Sequence, residues 1–273
     1  NQVVANVGDM ENKGLEINLN SQVIRNSNFT WDLGVNATMN KNTITKLTIA
    51  PDPNYPGNRF GGISGGVGNT ILINSVGFNR GAFYVYQQVY DAAGKPIEGL
   101  LVDRNSDGTI NDKDLYQYKS ADPKAFLGLT SNFTYKKWNA GFILRASIGN
   151  YMYNNVYSAQ GRYNAISSLP TYLGNASINY LDTKFNGITG GVNQLQSDYY
   201  VQNASFLKMD NLNVGYNVGK VLGNTASLRV NASVQNVFTI TKYKGLDPEI
   251  GGGIDNNFYP RPRIVSLGLN LDF

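Results

Sequence analysis

Asp103, Asn105, Asp107, Thr109, Asn111 and Asp114 are the residues of this chain whose types and spacing most directly suggest chemistry. In the run DRNSDGTINDKD they occupy positions 1, 3, 5, 7, 9 and 12 of a loop, with Gly108 at the turn position 6 and Ile110 at position 8. That spacing can fold six to eight hard oxygens round one point, Thr109 acting through its carbonyl, so it predicts Ca2+, or Mg2+ in its place. Asp114 stands where an EF-hand has a bidentate glutamate, and neither flank reads as an amphipathic helix, so the binding expected is weak. The competing reading is an Asx-rich turn closed by its own hydrogen bonds.

Other chemistry is thinly supplied. The chain has no histidine and no cysteine, which removes the commonest general base, the commonest transition-metal ligand and all thiolate chemistry. Glutamates are scattered singly, without the positioned acid and base that a carboxylate glycosidase needs. The segment Gly61 to Gly68 lacks G-x-x-x-x-G-K and is read as a mobile loop, not a phosphate cradle. No catalytic residue is expected. A net charge of +4 without a dense Lys/Arg block argues against a nucleic-acid partner.

The elements that must position these residues are strands. From Phe29 to Met39, Phe29, Trp31, Leu33, Val35, Ala37 and Met39 alternate with Thr30, Asp32, Gly34, Asn36 and Thr38, a period of two sustained for about one crossing of a bilayer by a tilted strand. The pattern recurs from Trp138 to Ile148, from Ala226 to Gln235, and at Val265, Leu267, Leu269, Leu271 and Phe273. Weaker copies cover Leu15 to Val23, Ala125 to Tyr135 and Leu207 to Val218, the last needing a bulge near Asp210 or Asn211 to change phase. Connections alternate: short near Arg25 to Asn28, at Lys136 and Lys137 and from Gly219 to Thr225, long at about 40–124, 150–204 and 239–262. Outer-membrane barrels place short turns in the periplasm and long loops outside.

Composition agrees with that arrangement. Glycine (30) and tyrosine (18) are abundant and charged residues make up only 15%, which favours strands with polar loops and is lean for a soluble surface. Mean hydropathy is −0.29, but a barrel strand shows lipid only one of its faces. About seven strands is an odd number, whereas single-chain bacterial barrels are even, so the remaining strands are expected before Asn1. The alternating end at Phe273 resembles the signal by which outer-membrane proteins are recognised for insertion.

Three stretches resemble the SusC/RagA family in order and spacing: NVGDMENKGLEINL (Asn6 to Leu19); DRNSDGTINDKD (Asp103 to Asp114) with PKAFLGLTSNFTYKKWNAGF (Pro123 to Phe142); and ASFLKMDNLNVGYNV (Ala204 to Val218) with RVNASVQNVFTITKYKGLDPEIGGG (Arg229 to Gly253) and YPRPRIVSLGLNLDF (Tyr259 to Phe273). The resemblance implies an all-β fold: residues 1–273 form the C-terminal strands, about seven, of a 22-stranded antiparallel transmembrane β-barrel with long extracellular loops. It further implies TonB-dependent import of glycans or oligopeptides, a SusD-like surface lipoprotein as lid, TonB as energy source, contact with outer-membrane lipid, and a plug and N-terminal strands outside this chain.

On that reading Glu16, Asn18, Asn20, Asp32, Asn36, Asn139, Arg145, Asn211, Asn213, Arg229, Asn231 and Gln235 face the lumen. Tyr84, Tyr86, Tyr151, Tyr153, Tyr157, Tyr199 and Tyr200 are expected to stack on sugars, contact the lid or join an aromatic girdle. The sequons at Asn28, Asn36, Asn132 and Asn231 mostly lie on or beside predicted strands and are not read as glycosylation sites. The alternative is a soluble, calcium-dependent carbohydrate-binding β-domain, in which Phe29–Met39 and Ala226–Val234 would pack against each other as a core.

Overall fold

The computed structural model describes residues 7–50, 52–65, 67–167, 172–256 and 258–273. Among these, seven long strands form one sheet in chain order, each antiparallel to the next. We label them β1 (Asp9–Arg25), β2 (Phe29–Lys46), β3 (Ala125–Tyr135), β4 (Trp138–Ile148), β5 (Phe206–Val221), β6 (Ala226–Thr241) and β7 (Ile264–Asp272). The strand count and the expected alternation of short and long connections are borne out. Several strands run further than the sequence pattern, β2 reaching Lys46 instead of Met39. At about 3.3 Å per residue and a tilt near 45° its 18 residues rise roughly 40 Å, more than the ~30 Å hydrocarbon core of a bilayer.

Cross-strand register fixes the two faces. Glu16 pairs Thr38, Asn18 pairs Asn36, and Asn36 pairs Gly128. Asn132 pairs Gly141, Gly141 pairs Asn213, and Asn213 pairs Ser233. Because directly opposed residues share a face, all twelve residues expected in the lumen lie on one side. The other side carries Leu15, Ile17, Leu19, Val35, Ala37, Leu129, Leu144, Leu212, Val234 and Leu267. This apolar side is bare: Leu19 is 59% exposed, Leu267 83% and Leu269 71%. The two strands that a soluble sandwich would have packed together instead present their apolar residues on one face of one sheet, with three strands between them, which overturns that alternative.

The bulge expected near Asp210 is present. Ile143 pairs Asn211 and Leu144 pairs Met209, so Asp210 is the extra residue, and it and Asn211 both turn to the polar side. Short turns are closed locally, as at Asn26, whose Oδ1 accepts from Asn28 and Phe29 N–H. Near these turns stand Phe29, Tyr135, Trp138 and Tyr216, with Trp138 and Tyr216 ring centroids 4.6 Å apart. Trp31 donates its indole N–H to Ser131 Oγ at 2.9 Å, satisfying a polar group on an otherwise apolar face. On the polar face asparagine repeatedly opposes glycine. A Cβ at Gly128 or Gly141 would lie 2.5 Å from the Asn36 or Asn132 amide, so the missing side chain is what admits the carboxamide.

The long connections pack together. Ile71, Leu72, Phe83 and Val85 from the first, Tyr153, Leu195, Tyr200 and Val201 from the second and Ile254 from the third share one buried apolar cluster. The strand Asn58–Gly62 pairs with Thr70–Asn74, and Ile63 is buried in the cluster. The expected loop over Gly61 to Gly68 therefore begins only after Ile63: Gly61 and Gly62 belong to the strand, and of the rest, Gly66 lies outside the described residues and Val67 is exposed in a turn.

Candidate functional site

A cavity of about 590 Å³ opens between the polar face of the sheet and the packed connections. Phe126, Arg145, Ser147 and Phe206 supply its strand wall, and Phe60, Arg80 and Glu249 come from the connections. Beside it the bulge brings Asp210 to Arg145: Nε binds one carboxylate oxygen and Nη2 donates to Oδ1 at 3.0 Å. Arg145 Nη1 also donates to Glu249 Oε1 at 2.7 Å. Lys208 Nζ lies 3.2 Å and Arg261 Nη1 2.9 Å from Glu249 Oε2, while Arg261 Nε lies 3.3 Å from Asp247. Three cations thus meet three carboxylates, tying the third connection to the strand wall. Burial pushes the Glu249 carboxyl up, but Arg145, Lys208 and Arg261 outweigh it and hold it below the usual glutamate value.

The cavity is chemically mixed. Phe60 and Phe126 are 40% and 52% exposed and offer apolar ring faces. Arg80 Nε reaches Asp122 at 3.2 Å, an ion pair left partly open to solvent. Ser147 and Asn150 are bonded to each other at 2.9 Å. Such a wall can hold rings and satisfy hydroxyl or amide groups without a large net charge.

The Asp103 to Asp114 loop closes on its own backbone. Asp103 accepts from Gly108 N–H at 2.7 Å and Asp107 N–H at 3.3 Å, and Asp107 accepts from Thr109 N–H at 3.0 Å. Asp114 is fully buried and accepts from Arg104 and Asn111 N–H at 2.8 and 2.9 Å. The Asn111 amide and then those of Arg104 and Asn105 hold its carboxyl below the ordinary aspartate value. Asn111 caps the short turn at Asp112–Asp114, and its Nδ2 donates to Thr109 O at 3.1 Å. Among the described residues, no three acidic side chains gather where they could hold a metal ion. The spacing therefore builds an ordered Asx loop, with Asp103, Asn105 and Asp107 toward solvent and Asp114 turned inward.

The tyrosines divide by burial. Tyr86, Tyr153 and Tyr200 are at most 2% exposed and belong to the core of the connections, correcting their reading as ligand, lid or girdle contacts. Burial pushes the Tyr86 phenol up to about 12. Tyr199 lies edge-on to Tyr200 at 4.9 Å. Tyr116 donates to Asp198 at 2.6 Å, joining the first connection to the second. The sequence reading missed Lys208, Glu249 and Arg261, and it marked Asp210 only as a bulge position, not as an ion-pair partner. The phase change in β5 was the available signal for Asp210.

No protein-family model matches the chain. It is 42% identical over its whole length to the TonB-dependent receptor SusC of Bacteroides thetaiotaomicron, of which it spans 27%. This chain belongs to the SusC/RagA family of TonB-dependent receptors. The TonB-dependent receptor P3 of Formosa agariphila is 28% identical over 99% of the chain and 29% of that protein. In fold, the SusC/RagA segment matches the RagAB peptide transporter with a TM-score of 0.73 at 22% identity, over 98% of this chain and 30% of that one. The seven-stranded sheet is therefore part of a barrel, and the segment spans under a third of the relatives it matches.

Proposed function

We propose that this SusC/RagA segment forms the C-terminal wall of an outer-membrane importer that takes up glycans or oligopeptides under TonB power beneath a SusD-like surface lipoprotein. The observation that carries the reading is the cavity on the polar side of a sheet whose other side is bare and apolar. Its ring faces, amides and open Arg80–Asp122 pair suit an uncharged, hydrogen-bonding cargo. The test is cargo uptake by the full-length receptor carrying Phe126→Ala and Arg80→Ala. Uptake falls while the protein still reaches the outer membrane; unchanged uptake of both oligosaccharides and oligopeptides would remove this cavity from the path.

A cation at the Asp103 to Asp114 loop enters the proposal as a weak site. Ca2+ or Mg2+ would exchange for hydrogen bonds already made by Asp103 and Asp107, and Asp114 has both oxygens engaged. A Kd of about 10⁻⁴ to 10⁻³ M follows, the range of extracellular calcium modules. Calorimetric titration of the full-length receptor with Ca2+, repeated with Asp103→Asn, measures it.

A further inference from the structure

We infer that Arg80 and Asp122 together grip two neighbouring hydroxyls of a sugar ring, so that the cargo of the cavity is a neutral glycan and not an oligopeptide. The inference rests on the reading of that cavity as part of the import path. Four charged residues line it: Arg80, Asp122, Arg145 and Glu249. The last two are already engaged. All three guanidinium nitrogens of Arg145 bind Asp210 or Glu249, and both Glu249 oxygens accept from cations. Arg80 and Asp122 meet at one corner, Nε to Oδ2 at 3.2 Å. Among the described residues, Arg80 Nη1 and Nη2 and Asp122 Oδ1 have no partner, and the two side chains keep 64% and 31% exposure. Donors and an acceptor are thus open side by side.

The pair is braced before any cargo arrives. Asn42, on the polar face of β2, is 8% exposed; its Oδ1 accepts from Arg80 N–H at 2.8 Å and its Nδ2 donates to Asp122 Oδ2 at 2.9 Å. One buried carboxamide therefore holds both the backbone of the arginine and the carboxylate of the aspartate. Asp122 N–H donates to Ser120 Oγ at 3.1 Å. Asn74, also in the wall, accepts from Gly81 N–H at 2.9 Å, which leaves its Nδ2 as a further donor. The Phe60 ring approaches the same segment, since a Cβ added to Gly81 would lie 3.6 Å from its Cζ. An exposed ring stands beside the open polar groups.

A vicinal diol matches this arrangement. A hydroxyl both donates and accepts, so one ring hydroxyl gives its proton to Asp122 Oδ1 while its neighbour accepts from an Arg80 Nη, and both bonds are charge-assisted. The C–H face of the same ring is then free to cover Phe60 or Phe126. An anionic group would meet Asp122 and a cationic one Arg80, which favours neutral sugar. An extended peptide presents its N–H and C=O groups to partners ranged along a strand edge, whereas donors and acceptor here converge at one point. The volume of about 590 Å³ falls within the ~300–1,000 Å³ of ligand pockets.

The test offers the full-length receptor in detergent three pools: neutral gluco-, manno- and galacto-oligosaccharides; the same sugars after periodate cleavage of their vicinal diols and borohydride reduction; and neutral oligopeptides. Bound members are counted by native mass spectrometry. The wild type retains sugars of the first pool alone. Arg80→Lys keeps the positive charge but loses the Nη donors, and Asp122→Asn keeps the shape but loses the charge. Each weakens sugar retention by about tenfold or more, while Lys136→Gln, at a short turn at the far end of the strands, leaves it unchanged.

Equal retention of intact and periodate-treated sugars overturns the diol assignment without requiring any variant. Retention of oligopeptides in place of sugars overturns the glycan assignment and leaves the import path standing. Sugar retention untouched by both substitutions refutes this pair as the grip. A receptor that retains neither class refutes the reading of the cavity as a cargo site, and the inference with it.

Discussion

Replacing Glu249 by glutamine should loosen the third connection from the strand wall. Glu249 accepts from Arg145, Lys208 and Arg261, and Lys208 is only 4% exposed. Removing one partner of a fully buried ion pair costs about 3–5 kcal/mol, whereas an exposed pair is worth about 0–1. The Glu249 side chain keeps 22% exposure and that of Arg145 41%, so the loss belongs between these limits, at about 2 kcal/mol. Glutamine preserves shape and one acceptor, which assigns the loss to charge. A change of that size raises the locally opened population roughly 30-fold. Hydrogen exchange of the backbone amides around Glu249 in the full-length receptor reads it directly. Adding Lys208→Met should recover part of the protection, because the stranded ammonium is removed with its partner. Exchange within about twofold of wild type, or no recovery in the double variant, would refute the argument that buried charge holds this connection.

Because Glu249 has a folded-state value below its ordinary 4.5, its contribution is present above that pH and is lost as pH falls through the lower folded value. Exchange around residue 249 should therefore accelerate only in acid, as a pH series would show. Gly128→Val places a side chain against the Asn36 amide and should cost about 1–3 kcal/mol; adding Asn36→Ala should restore much of it, measured as denaturant midpoint in detergent. Trp31→Phe leaves Ser131 without its indole donor and should cost about 1 kcal/mol by the same measurement.

What the sequence made legible was set by local physics. Alternation depends on neighbours two residues apart, so the strands, their faces and the Asp210 bulge could be read directly. The expected loop spacing from Asp103 to Asp114 did produce an ordered turn, because Asx side chains reach backbone amides only a few residues away. The core of the connections was not legible, because it joins Ile71, Tyr153 and Ile254 across large sequence separations, and nothing local distinguishes a buried tyrosine from one that meets a ligand. Lys208 escaped for the same reason: an isolated lysine on a strand looks solvated until Glu249 is brought over it. The upper parts of β1 and β2 lie beyond the apolar belt, so their outward positions turn polar and the pattern fades before the strand does.

The most direct test of the central claim is nitroxide accessibility along β2 in the full-length receptor reconstituted in lipid. Labels placed one at a time from Leu33 to Thr38 should alternate: oxygen-rich and poor in contact with a water-soluble nickel complex at Leu33, Val35 and Ala37, with the opposite bias at Gly34, Asn36 and Thr38. Absence of that period of two, or low oxygen contact at Leu33, Val35 and Ala37 as in a packed interior, would contradict the account of this chain as the wall of an outer-membrane barrel.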